Sequence, residues 1–172
     1  MKVSKIMSGA REELADRVSP DIAAFRERLR TGERGNDHLY IMLLGMKLLE
    51  TDELLREVQK GLPFRALERL GRNLDLSMRD IAELAQIRNR TLHRRKEAGR
   101  LHPDESDRLL RVSRVFARAI ELFEGDARAA RRWLAAPQRA LGGSTPLSLA
   151  KTELGALEVQ RLIGRLEHGV FS

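Results

Sequence analysis

Along this chain apolar residues recur three and four positions apart, with almost no stretch that alternates apolar and polar, and that period predicts helices rather than strands. Ser19-Pro20-Asp21 offers a cap, a first-turn proline and a carboxylate for the positive end of a helix dipole. Ile22, Phe25 and Leu29 follow on one face and Gly32 lies beyond, so a helix is expected over about 20–30. Gly35-Asn36-Asp37 reads as a turn. Tyr40-Ile41-Met42-Leu43-Leu44 is either a short strand or a buried helical turn, two possibilities that periodicity does not separate. A short helix over 51–60 should stop at Gly61, and Phe64, Leu67, Leu70 and Leu74 recur at helical spacing after Pro63.

Two short helices come next. Ser77 and Asp80 have the spacing of a capping box with Asp in place of Glu, and Met78, Ile81, Ala82 and Ala85 share a face. A second helix is expected from about Asn89 to Glu97, ended by Gly99. Two such helices with a three-residue turn have helix-turn-helix spacing. A longer helix beyond Pro103 carries a stripe of Leu109, Val112, Phe116, Ala119 and Phe123, read as core with a dimer surface as the alternative. Asp126 caps a helix bearing Ala129, Ala130, Trp133 and Leu134 that must end before Pro137; Trp133 is read as core. After a loop through Gly142-Gly143, which offers a subdomain hinge, a helix begins at Thr145-Pro146. A last helix covers about 153–167 with Val159, Leu162, Ile163 and Leu166 on one face. The expected fold is all-α, with at most one short strand near 39–44, divided into an N-terminal helical extension (1–60), a helix-turn-helix domain (61–124) and a small helical domain with a tail (125–172).

Composition adds exclusions. The chain has 172 residues, no cysteine and seven aromatic residues, which removes disulfide frameworks, thiol nucleophiles and Cys-ligated zinc and makes a reducing cytoplasm the default. The N-terminal ten residues lack the apolar run of a signal peptide, and the most apolar stretch, Leu39 to Leu49, is too short for a bilayer and contains Lys47. The four histidines are dispersed, with no phosphate loop, metal motif or nucleophile elbow, so neither catalysis nor a cofactor is expected.

The net charge of +7 is local. Residues 1–60, 61–137 and 138–172 contribute 0, +6 and +1, and between Arg88 and Arg100 six basic residues face the single acid Glu97. Such a cluster either neutralises phosphates or is a solvated helix face. On the second short helix Arg88, Asn89, Arg90, His93 and Arg94 occupy the part that meets base edges in a major groove, while Thr91 and Arg95 are placed for phosphates. Arg suits guanine and Asn suits adenine. With no aromatic residue in the segment, double-stranded DNA is favoured over a single-strand or RNA target. Ala82 allows close helix approach, and Ile87 and Leu92 pin the pair. Gln86 stands where glycine usually turns the chain, and unlike glycine it needs compensation for a positive φ. A homodimer reading half-sites roughly 34 Å apart is expected, because one unit binds weakly.

Several ordered motifs carry a resemblance. These are Arg90-Thr91-Leu92-His93-Arg94-Arg95, Gly99-Arg100-Leu101, Glu105 to Arg111, Ala130 to Pro137, Ala140 to Leu147, Thr152 to Ala156 with Val159, and Gly164 to Phe171. With them, residues from about 62 to 172 resemble the Xre/MbcA/ParS-type antitoxins, and 19–60 with the terminal Glu-His-Gly look similar to the RES-Xre branch. That resemblance implies a Cro/repressor-like helix-turn-helix followed by a toxin-binding domain, a RES-type, NAD-degrading toxin as partner, occlusion of its active site by the antitoxin's C-terminal end, and repression of the shared operon. The implied toxin-binding residues are Arg161, Arg165, Glu167, His168, Gly169, Val170, Phe171 and Ser172. Arg161 and Arg165, one turn apart, form a basic edge; Val170 and Phe171 offer an apolar anchor, and Glu167, His168 and the Ser172 carboxylate offer polar contacts. The alternative is a stand-alone dimeric transcriptional repressor.

Overall fold

The computed structural model describes residues 19–32 and 38–169. The turn at Gly35-Asn36-Asp37, residues 1–18 of the extension, and Val170, Phe171 and Ser172 lie outside the described residues. Nine α-helices and two short 3-10 helices make up the described fold, with no sheet: α1 (Pro20–Arg30), α2 (Thr51–Lys60), α3 (Phe64–Asn73), α4 (Met78–Leu84), α5 (Asn89–Ala98), α6 (Pro103–Leu122), α7 (Ala127–Ala135), α8 (Pro146–Leu149) and α9 (Glu153–Glu167). The all-α expectation holds. The undecided segment is helical: Leu39–Leu44 is a 3-10 helix with five of its six residues buried, closed by Gly45 in the left-handed conformation. A strand there would have no sheet to join, whereas the tight helix satisfies its own backbone while presenting side chains to the core on several sides.

Helix α6 is the central post. It touches the 3-10 helix, α2, α4, α7 and α9, and Leu109, Val112, Phe116 and Ala119 are fully buried, so the stripe is intramolecular core rather than a dimer surface. At 20 residues it is about 30 Å long and runs without a break from the helix-turn-helix region into the C-terminal helices. One apolar core extends accordingly from Ile22 to Ile163, with Trp133 half-buried against it beside Phe123. Two buried serines fasten neighbours to α6. Ser106 Oγ accepts from the Leu62 amide at 2.8 Å, and Ser113 Oγ donates to the Tyr40 carbonyl at 2.6 Å.

The described part of the N-terminal extension is packed onto the rest by a polar hub. Buried Asn73 donates to the Leu43 carbonyl at 2.8 Å and to Asp21 at 3.1 Å, and accepts from Ser19 Oγ at 2.5 Å. Each of its hydrogen-bonding groups is thereby satisfied where water is absent. After Pro137 the chain closes on itself, with Gln138 and Ser144 bonded at 3.0 Å.

Candidate nucleic-acid and partner interfaces

Helices α4 and α5 form the expected pair. Ser77 Oγ caps α4 by accepting from the Asp80 amide at 3.1 Å, but the Asp80 carboxylate accepts from Ser77 Oγ at 2.6 Å. Aspartate, one methylene shorter than glutamate, thus replaces the reciprocal backbone half of a capping box with a side-chain bond. Buried Ala82 receives the Ile87 amide on its carbonyl at 2.7 Å, which draws the turn tight. Gln86 does take a positive φ, 55°, and its side-chain Nε2 donates to the Lys151 carbonyl at 2.8 Å. The compensation that a non-glycine residue needs there comes from the C-terminal region, 65 positions away.

Helix α5 buries none of its residues fully. Leu92 rests partly on the core, Ile87 anchors the turn, and Arg95 pins the helix to α6. Arg88, Asn89, Arg90, His93 and Arg94 are exposed on it, with Thr91 half-buried at the edge of an open groove of about 550 Å³ facing the start of α6. Arg88, Arg90, Arg94 and Lys96 form no ion pair among the described residues, whereas Arg56, Lys60, Arg69, Arg108, Arg111, Arg118, Lys151 and Arg161 each meet a carboxylate. These four side chains stand on one short segment without a carboxylate partner among the described residues, and like charges that repel in the free protein are relieved when a polyanion binds. His93 pairs with Glu97 at 3.2 Å, and among the described residues no cluster able to hold a metal ion occurs.

Arg95 departs from its expected place. Its Nε donates to Glu105 Oε2 at 2.7 Å, with the two side chains only 17% and 7% exposed. That bond holds Arg95 charged above the usual arginine range. A guanidinium bonded to a buried carboxylate ties α5 to the first turn of α6. Nothing in residues 88–97 signalled this, because Glu105 lies in another helix.

The C-terminal residues also divide. Arg161 is bound to Glu158 at 2.6 Å, and exposed Glu167 accepts from Arg118 of α6 at 2.7 Å, which ties the end of α9 to α6. Arg165 has no ionic partner among the described residues, and His168 and Gly169 are exposed beyond the helix. Two residues escaped notice in the sequence: Leu154 and Leu157 are 70% and 41% exposed. Their spacing of three places them on the opposite side of the wheel from Val159 and Ile163, and that phase was the available signal. A junction between the two halves was missed as well. Arg111 reaches the Lys151 carbonyl at 3.2 Å and Glu153 at 2.7 Å, while Lys151 Nζ meets Glu83 at 2.6 Å.

Fold and surface together define an all-α helix-turn-helix protein with a second helical module on a shared central helix. Residues 53–114 match the antitoxin Xre-like helix-turn-helix domain, and residues 118–169 match the antitoxin Xre/MbcA/ParS C-terminal toxin-binding domain. Antitoxin Xre of Yersinia enterocolitica is 38% identical over 130 residues, 75% of this chain and 88% of that protein. Antitoxin Xre of Photorhabdus laumondii is 40% identical over 116 residues, 67% and 78% of the respective chains. Antitoxin Xre of Pseudomonas putida is 37% identical over 81 residues, 46% and 50%. The chain belongs to the family of Xre-type antitoxins, the components of toxin–antitoxin systems that combine a helix-turn-helix DNA-binding domain with a toxin-binding domain. Among the described residues no helix is long and apolar enough to cross a membrane.

Proposed function

We propose that this protein neutralises a RES-type, NAD-degrading toxin by placing the segment after Glu167 at the toxin's active-site entrance, and that it acts in the cytoplasm as a homodimer repressing its own operon. The labour is divided in this reading between 61–124, on DNA, and 125–172, on the toxin. The observation that carries the DNA half is the unneutralised set Arg88, Arg90, Arg94 and Lys96 on the second helix of the motif. Asn89, Thr91 and His93 complete the contacting face, and Arg95 holds that face in position. A C2 dimer would present two such helices to half-sites about 34 Å apart.

For the toxin half, support comes from the matched toxin-binding domain and from the anchoring of α9. In this reading Glu167, bonded to Arg118 at the end of α9, and His168, Gly169, Val170, Phe171 and Ser172 are the residues assigned to the toxin's active-site entrance. Arg161 and Arg165 flank them as the basic edge of the helix. The protein itself needs no catalytic group for this role.

The test is co-expression with the product of the neighbouring gene, read by growth and cellular NAD. Deleting residues 168–172 leaves the Arg118–Glu167 bond intact, so toxicity and NAD loss should return while the two proteins still co-purify. Unchanged protection overturns the occlusion mechanism. A neighbour that is harmless when expressed alone favours the stand-alone repressor.

A further inference from the structure

A groove of about 1060 Å³ lies where α1, the 3-10 helix at Leu39–Leu44, α6 and the end of α9 meet. Its floor is apolar: Phe25, Leu39 and Ala117 are buried there, with half-buried Leu29 beside them. Four arginines and four glutamates form its rim, so the groove has no net charge among the described residues. Most of those charges are already engaged within the molecule. Arg30 meets Glu27 at 2.9 Å, Arg118 is shared by Glu121 and Glu167, and Arg114 lies over the Tyr40 ring at 5.4 Å. A charged ligand finds no opposite excess in such a rim, whereas an uncharged apolar group gains by leaving water.

We infer that this groove holds Val170 and Phe171 of the same chain when no toxin is bound. The docking itself stands apart from the toxin-neutralising function proposed above. Only its consequence rests on that function: the tail must leave the groove before it can enter a toxin, and the apparent affinity falls by the fraction held back.

Three observations name the occupant. Glu167 is itself part of the rim, and Phe171 follows four residues later, within about 14 Å of extended chain. Gly169 is left-handed, with φ 65°, and its amide bonds the Leu166 carbonyl at 3.3 Å. Such a helix end turns the chain off the axis, and the residue that follows is commonly apolar and packed back on the protein; Val170 stands there. Composition disfavours the other segments outside the described residues. Glu33-Arg34-Gly35-Asn36-Asp37 has no apolar side chain and residues 1–18 bear seven charged ones, while Val170-Phe171-Ser172 bears none.

The chain has no cysteine, so an introduced pair reports alone. Ala23→Cys, on the groove, is combined with Ser172→Cys in the full chain. The control pairs Ser172→Cys with Ala24→Cys, which is exposed on α1 outside the groove. In oxidised glutathione at low protein concentration the groove pair should close an intramolecular disulfide about tenfold faster than the control, and adding Phe171→Ser should erase the difference. Equal rates for the two pairs overturn the proposal. So does a disulfide between two chains, which would give the groove to a second copy. The oxidised groove pair should also lose about tenfold or more in affinity for a catalytically silenced product of the neighbouring gene and regain it on reduction. A fast-closing disulfide with toxin affinity unchanged sustains the docking and counts instead against occlusion by the tail, so the two readings fail separately.

Discussion

Replacing Arg95 by Ala separates positioning of the recognition helix from contact with DNA. The substitution removes the 2.7 Å charge-assisted bond to Glu105 and strands a carboxylate that is only 7% exposed. Truncating one partner of a fully buried pair costs about 3–5 kcal/mol. Here the penalty is smaller, because Glu105 keeps the His102 amide at 2.7 Å and the arginine itself is 17% exposed. Loss of one charge-assisted bond, roughly 2 kcal/mol, is the appropriate figure, and for a chain of this length it lowers the melting temperature by about 4–8 °C. Equilibrium urea unfolding and thermal melts give the stability, and fluorescence anisotropy with the DNA upstream of its own gene gives the affinity well below the transition. The expected outcome is the full stability loss with DNA affinity within about threefold of the parent, since the Arg95 guanidinium is engaged by Glu105. Adding Glu105→Gln should recover part of the cost, since touching residues are non-additive. A variant that melts like the parent yet loses tenfold in DNA affinity would refute the reasoning and return Arg95 to the phosphates.

Arg90→Ala and Arg94→Ala should show the reverse, with melting unchanged and weakened DNA binding, and a salt slope reduced by roughly one for each phosphate no longer neutralised. Gln86→Ala keeps the left-handed backbone but loses the bond to Lys151, so it should cost about 1–2 kcal/mol, while Gln86→Gly, which also relieves the strain, should be near neutral in urea unfolding. Gly155→Ala forces a methyl group into the Leu149 carbonyl; it should disrupt the seating of α9 and abolish toxin neutralisation in the growth assay while leaving DNA binding largely intact. Asp126 caps α7, and the Ala129 amide holds its carboxyl below the usual 3.8. Its charge-dependent contribution is therefore complete above the unfolded-state value and is lost as pH falls through the lower folded value. Asp126→Asn should accordingly differ from the parent in thermal stability near neutral pH and converge with it in acid. A difference that persists unchanged at low pH would remove the charge from the explanation.

Punctuation and phase made most of the helices legible in one dimension. Caps such as Ser19, Ser77 and Asp126, the prolines at first turns and the period of the apolar positions are local causes, and local causes can be read locally. The clustering of Arg88, Arg90 and Arg94 likewise needed no fold to be seen, because their spacing alone puts them on one short helix. Even the requirement for compensation at Gln86 followed from its place in the turn.

Partner choice across the chain required three dimensions. Leu39–Leu44 is helical where no strand among the described residues lies beside it, and the Leu109–Ala119 stripe became core because α6 is enclosed by neighbours from both ends of the sequence. Arg95 and Arg94 are chemically identical neighbours, yet one meets Glu105 and the other meets no carboxylate among the described residues. Glu167 was drawn from the tail to Arg118, and Gln86 found its acceptor at Lys151. The helices, the basic recognition segment and the resemblance to a toxin-binding antitoxin were all present in the order of residues. Which charges are consumed inside the molecule and which remain for DNA or toxin was settled by the fold, since an ion pair depends on distance in space, and residues tens of positions apart acquire that distance only when the core closes.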